Sequence, residues 1–261
     1  MTLARWLDDG PFTLVMSSGF FSFFAHTGLL GALVARGHRP SAVAGSSAGA
    51  LVGGAWAAGV EADELAGVLG KLSRDDFWDP APGLGLLAGG KFDALLRRLL
   101  PVTTFHGCRV PAAISVFDIL GRRTHVVDAG DLPLAIRASC AVPGLFHPVW
   151  IARRPYWDGG ILDRPGLHGV PPGRRVLFHH IASRSPWRRR LAVPARRDGM
   201  VTLVVDGLPR SGPNRLDAGR AAMALARRAT DRALDAAVVD GVVRVSGGAR
   251  ATSASRGPCT S

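Results

Sequence analysis

The chain has 261 residues, 47% of them apolar and 20% charged, with a mean hydropathy of +0.18; that is enough to bury one large domain and excludes a wholly disordered chain. Three cysteines at no metal-ligand spacing (Cys108, Cys140 and Cys259) exclude a disulfide scaffold and a zinc finger, and read as free thiols of a reducing compartment. The net charge of +12 comes almost entirely from arginine, since Lys71 and Lys91 are the only lysines, and it favours anionic partners without choosing between nucleic acid and phospholipid headgroups.

Residues 12–16 form a short apolar run with strand propensity, ended by Ser17, Ser18 and Gly19. Residues 25–35 follow as a buried helix ending at Gly37. A second strand at 41–45 leads into a small-residue helix at 48–58, closed by Gly59. Helical spacing returns at 61–72 and 92–100, on either side of a glycine-rich loop at 80–90. Residues 110–120 and 124–127 read as paired strands around a turn at Gly121, 132–139 as a short helix, and 149–157 as a hairpin. Two more buried strands are predicted at 176–181 and 201–205, and an amphipathic helix at 216–237 with arginines on its outer face. Alternating strands and helices predict parallel pairing in a layered α/β domain, residues 1–240. The remaining 241–261, rich in Gly, Ser, Ala and Thr, are expected to be a disordered tail.

The first ten residues carry Asp8 and Asp9 and lack the basic start and long apolar core of a signal peptide. Uncharged stretches at 11–35 and 40–60 are long enough to test as membrane spans, but small residues break both, and each reads as strand, tight turn, then helix. The expectation is therefore a cytoplasmic protein. Residues 183–215 are strongly basic, and Trp187 beside Arg188, Arg189 and Arg190 offers a contact for an anionic membrane surface; a solvated charged loop is the plainer reading.

Gly45-Ser46-Ser47-Ala48-Gly49 matches G-x-S-x-G directly between a predicted strand and a predicted helix. A serine on so sharp a turn projects its hydroxyl out of the sheet, and small flanking residues let strand and helix approach. The helix N-terminus adds unpaired N–H groups that favour a developing oxyanion. A serine hydroxyl also needs a base. The best-placed carboxylate is Asp158, at the end of a predicted strand and followed by Gly159 and Gly160; by itself Asp-Gly-Gly is a common turn.

These pieces together resemble the patatin-like phospholipase family, which uses a Ser–Asp dyad. Leu14-Val15-Met16 and 24–30 look like its first strand and helix, Gly45 to Gly49 its nucleophile elbow, 138–149 its central block, and Asp158-Gly159-Gly160 its dyad aspartate. The resemblance spans residues 12–182 and implies an α/β/α fold with a mostly parallel central sheet. It also implies a serine lipid acyl hydrolase of phospholipase A, lysophospholipase or esterase type. Ser47 would be the nucleophile and Asp158 the base, with Gly19, Phe20 and Ala48 supplying oxyanion N–H groups and no metal or other cofactor needed.

One departure stands out. Where the family has a run of glycines with a basic residue, this chain has Ser17-Ser18-Gly19-Phe20-Phe21-Ser22-Phe23. The three phenylalanines would line an acyl pocket or fill core, and a catalytically impaired lipid- or protein-binding module is the alternative. A second alternative is an α/β-hydrolase triad of Ser47, Asp158 and one of His168, His179 or His180, but an elbow as early as position 47 argues against that fold. His26 reads as a core histidine and Cys140 as a packing residue. No nucleic-acid partner is expected, because the arginines are not interleaved with stacking aromatics.

Overall fold

Short apolar runs that alternate between two buried faces build a nine-stranded sheet. The computed structural model describes residues 1–181 and 197–248. The chain opens with α1 (Leu3–Asp8), β1 (Thr13–Met16), α2 (Phe23–Ala35), β2 (Ala42–Ser46), α3 (Ala48–Ala57) and α4 (Ala62–Lys71). It continues through β3 (Gly85–Leu87), α5 (Gly90–Leu99), β4 (Ala112–Asp118), β5 (Arg123–Val127), α6 (Leu132–Ser139) and β6 (Gly144–Phe146). The last third holds β7 (Val149–Ile151), β8 (Arg154–Asp158), β9 (Val176–His180), β10 (Met200–Asp206), α7 (Leu216–Leu234) and β11 (Val242–Ser246).

The sheet runs β11-β10-β9-β1-β2-β4-β8-β7, with β5 on the other edge of β4, and every pairing from β11 to β4 is parallel. The hairpins β4–β5 and β7–β8 are antiparallel. Alternate residues of each strand separate the two faces: Leu14 and Met16 enter the main core under α2 and α3, while Val15 faces the other way with Ala44, Val176 and Phe178. Among the described residues, that second face is covered by the chain around Leu167 and Val170 rather than by helix.

The helix α2 is buried on every side, wedged between the sheet, α3, α4 and α7, which explains why it carries no polar face. No helix among the described residues is long and apolar enough to cross a membrane. Three elements depart from the sequence expectations. The first ten residues contain α1, capped by the Thr2 hydroxyl, and the loop at 80–90 contains β3, which pairs with β6 in a two-stranded sheet. The boundary expected at residue 240 falls too early: after Gly241, β11 adds to the edge of the sheet beside β10 and buries Val243. The rest of the expected tail, 249–261, lies outside the described residues, as do Cys259, Trp187, Arg188, Arg189 and Arg190.

One feature of the register decides where the site forms. Along a single edge of β4, β2 pairs up to Ser46 opposite Ser115, and β8 takes over at the next position, Asp158 opposite Val116. The other edge of β4 is held by β5. The last residue of β8 therefore meets the end of β2 head-on.

Candidate active site

At the end of β2 the chain turns into α3 within one residue, and Ser47 takes a φ of 51° and ψ of −116° to do it. That conformation is strained for a residue with a side chain and is tolerated where surrounding structure enforces it. The glycines beside it are required by contact: a Cβ on Gly49 would stand 1.9 Å from the Met16 carbonyl oxygen, and one on Gly45 would stand 2.5 Å from the Gly49 carbonyl carbon. Strand and helix cross at backbone distance, with Ser47 at the crossing.

The Ser47 hydroxyl donates to Asp158 Oδ2 at 2.6 Å. The other carboxylate oxygen, Oδ1, accepts the Gly160 N–H at 2.7 Å. Both residues are buried, and burial drives the Asp158 carboxyl up to about 6; the bonds from Ser47 and Gly160 and the charge of Arg164 hold it from rising further. Gly159 lies against the Ser115 carbonyl and Gly160 against the Ser18 side chain, so a methyl group at either would push the turn away from Ser47.

Gly19, Phe20 and Ala48 line an apolar cleft of about 670 Å³, counted to its open mouth, with Ser47 in its wall. Among the described residues, the N–H groups of these three have no hydrogen-bond acceptor. Further lining comes from α3, α4, α5, the aromatic residues Phe21, Phe23, Phe77 and Phe146, and Leu72, Cys140 and Val142. The loop before α2, with Gly19 as its one glycine, packs through its phenylalanines. Phe21 adopts a φ of 56° and stacks edge-on against Phe77, ring centroids 5.6 Å apart, while Phe20 remains 53% exposed at the mouth.

This arrangement joins a strained serine to a desolvated carboxylate at the mouth of an apolar cleft. The sequence profile of the patatin-like phospholipase family matches residues 14–170. The chain belongs to the patatin-like phospholipase family. An uncharacterized NTE family protein of Mycobacterium tuberculosis is 34% identical over 154 residues, which is 58% of this chain and 42% of that protein. Lysophospholipase NTE1 of Mycosarcoma maydis is 29% identical over 184 residues, 67% of this chain and 10% of its own length. The chain thus spans less than half the length of these curated relatives. Among solved structures, VipD from Legionella pneumophila overlays with a TM-score of 0.47 at 14% identity, over 82% of this chain and 53% of that one. The type III effector protein ExoU gives a TM-score of 0.46 at 15% identity, over 86% and 52%.

Among the residues that support the patatin-like site, Ser115 and Asp163 carry no motif signal of their own, and Ser139 and Cys140 lie in the central block, where nothing marks them as supports. The Ser47 N–H donates to Ser139 Oγ at 2.8 Å, and Ser139 donates onward to the Ser115 carbonyl at 2.7 Å. Asp163 accepts the Ser115 hydroxyl at 2.6 Å and the N–H groups of Gly166, Leu167 and His168, which ties down the chain leaving Gly160. Cys140 packs as expected: its half-buried thiol, pushed well up by desolvation, donates to the Ser47 carbonyl at 3.2 Å. Among the described residues, neither Ser47 nor Asp158 has a histidine as its hydrogen-bond partner. His179 instead meets His26 in the interior.

Proposed function

We propose that this protein is a serine acyl hydrolase that cleaves lipid esters, of phospholipase A, lysophospholipase or esterase type, through a dyad of Ser47 and Asp158. The observation that carries the reading is the 2.6 Å bond between the Ser47 hydroxyl and a carboxylate that burial makes a stronger base than a free one, opening on a cleft lined by apolar side chains.

Ser47 Oγ attacks the ester carbonyl carbon while its proton passes to Asp158 Oδ2. The carbonyl π electrons move to oxygen, and the resulting oxyanion is met by N–H groups of Gly19, Phe20 and Ala48. Collapse of the tetrahedral species expels the alcohol, which takes the proton from Asp158, and leaves an acyl ester on Ser47. Water then gives a proton to Asp158 and attacks the acyl carbon; the fatty acid leaves and the proton returns to Ser47. The +12 charge supports peripheral contact with an anionic membrane surface through Arg188, Arg189 and Arg190.

A second reading, a catalytically impaired lipid-binding module, is favoured by one observation, the pair Phe20 and Phe21 where the family carries glycines. Losing one oxyanion donor costs about 100- to 1,000-fold in rate. Labelling with a fluorophosphonate, followed by mass spectrometry of the modified peptide, separates the two. The expected result is a single adduct on Ser47, with ester turnover abolished in Ser47→Ala; equal turnover in wild type and Ser47→Ala leaves only the binding module.

A further inference from the structure

The interior holds two histidines that the proposed chemistry does not use. His26, in α2, and His179, in β9, are both completely buried, with Nδ1 facing Nδ1 at 2.8 Å and the rings nearly perpendicular at 83°. The remaining nitrogen of His26, Nε2, lies 2.8 Å from the Ser17 carbonyl oxygen. These contacts leave one proton order. A carbonyl oxygen only accepts, so His26 Nε2 carries the hydrogen, and its Nδ1 is then a bare acceptor. His179 Nδ1 must donate to it, which leaves His179 Nε2 unprotonated. Among the described residues that atom is buried with no hydrogen-bond partner, so no contact there opposes this order.

The carbonyl at the end of this relay belongs to the peptide joining Ser17 to Ser18. Its N–H, on Ser18, donates to the Arg164 carbonyl at 2.7 Å, so both polar ends of that peptide are fixed. His179 grips the same residue from behind, its own carbonyl accepting the Ser17 N–H at 3.3 Å. The next residues along are Gly19 and Phe20, which line the cleft beside Ser47 and whose N–H groups have no acceptor among the described residues. We propose that His26 and His179 are a positioning couple, which orients the Ser17 peptide through a fixed proton order and thereby aims the Gly19 and Phe20 amides at the developing oxyanion. This rests on the proposed acyl-hydrolase reading. Burial keeps both rings neutral, as the relay demands: His26 is lowered to about 4, and His179 well below the usual imidazole range.

The test compares two isosteres. His26→Gln places an amide N–H where Nε2 stands and keeps the bond to Ser17; His26→Asn reaches only the Nδ1 position and leaves the Ser17 carbonyl unpaired. With p-nitrophenyl butyrate as substrate, His26→Asn is expected to lower kcat about 10- to 100-fold with KM within about threefold, and His26→Gln to stay within about threefold of wild type. Hydrogen exchange across residues 17–20 should rise in the Asn variant only. In wild type, ¹⁵N spectra of the histidines should show one Nε2–H and one Nδ1–H tautomer joined by a coupling across the Nδ1 pair. An Nδ1–H tautomer on His26, unchanged exchange in His26→Asn, or equal losses in both variants would overturn the couple. A wild type that turns over no ester sinks the hydrolase reading instead, while the spectra and the exchange still judge how the histidines hold the loop.

Discussion

The Ser47 N–H is committed to the Ser139 hydroxyl, 2.8 Å away and itself fully buried. It is therefore not free to meet an oxyanion, and the elbow's contribution falls to Ala48. Ser139→Ala would leave the Ser47 N–H without its acceptor and take one donor from the Ser115 carbonyl, at about 2 kcal/mol of stability, with kcat reduced at least about tenfold as the strained turn relaxes. Urea unfolding and ester turnover measure the two losses; an unchanged kcat would separate the backbone anchor from the chemistry.

The acid limb of the pH–rate profile should report Asp158. The base must be ionised to take the Ser47 proton, and burial raises it to about 6, so kcat/KM for a soluble ester should fall as pH drops through that value. A limb near the pKa of an ordinary carboxylate would show that the group is not desolvated.

The same burial costs stability. Between the unfolded value near 4 and the folded value of about 6, the native state holds a proton that the unfolded chain has released, so stability declines as pH rises across that window. Above it the ionised carboxylate is a standing cost. Asp158→Asn keeps the shape and removes the charge, and at neutral pH it should be more stable by about 2–3 kcal/mol while losing ester turnover. Thermal unfolding of the two proteins at neutral pH and in mild acid decides it, since the difference should shrink at the lower pH.

His26 works with the opposite sign. Its folded value of about 4 lies below the unfolded value of 6.5, so the unfolded chain binds the proton first and stability is lost as pH falls through that interval. The loss from His26 reaches about 3 kcal/mol, and His179, facing His26 and His180, adds to it. Asp158 offsets part of this at the acid end of the range. Urea midpoints measured across that interval should fall in wild type and fall less steeply in His26→Gln, where His179 alone remains to be protonated.

Two glycine-to-alanine changes should diverge. Gly49→Ala drives a methyl into the Met16 carbonyl and should prevent folding of the elbow, seen as loss of soluble protein. Gly70, in α4, has open space at its Cβ, and Gly70→Ala should stabilise the helix by about 0.5–1 kcal/mol in urea unfolding.

Local signals were strong where the physics is local. The run before Ser17 is a strand because its residues are apolar and alternate between two cores, and α6 spans the predicted 132–139 because Asp131 caps it and Pro133 suits its first turn. The elbow was legible from five residues because Gly45 and Gly49 are the only fit for that crossing. The strands β3 and β6 carry no local signal, being three residues each with glycine at the start, too short for alternation to register. Val242 to Ser246 was hidden by the composition around it; its pattern of valines makes sense only beside β10.

By itself, the order of residues determined the parallel α/β character of the chain, the serine on its turn, the aspartate before two glycines and the family they belong to. Tertiary structure decided that β8 takes over from β2 along the edge of β4, which brings Asp158 to Ser47. It also chose Ser139, Asp163 and the histidine pair as supports. Those contacts join residues far apart in the chain, and the rise in the Asp158 pKa comes from exclusion of water by the whole fold. A residue's neighbours in sequence carry information about neither.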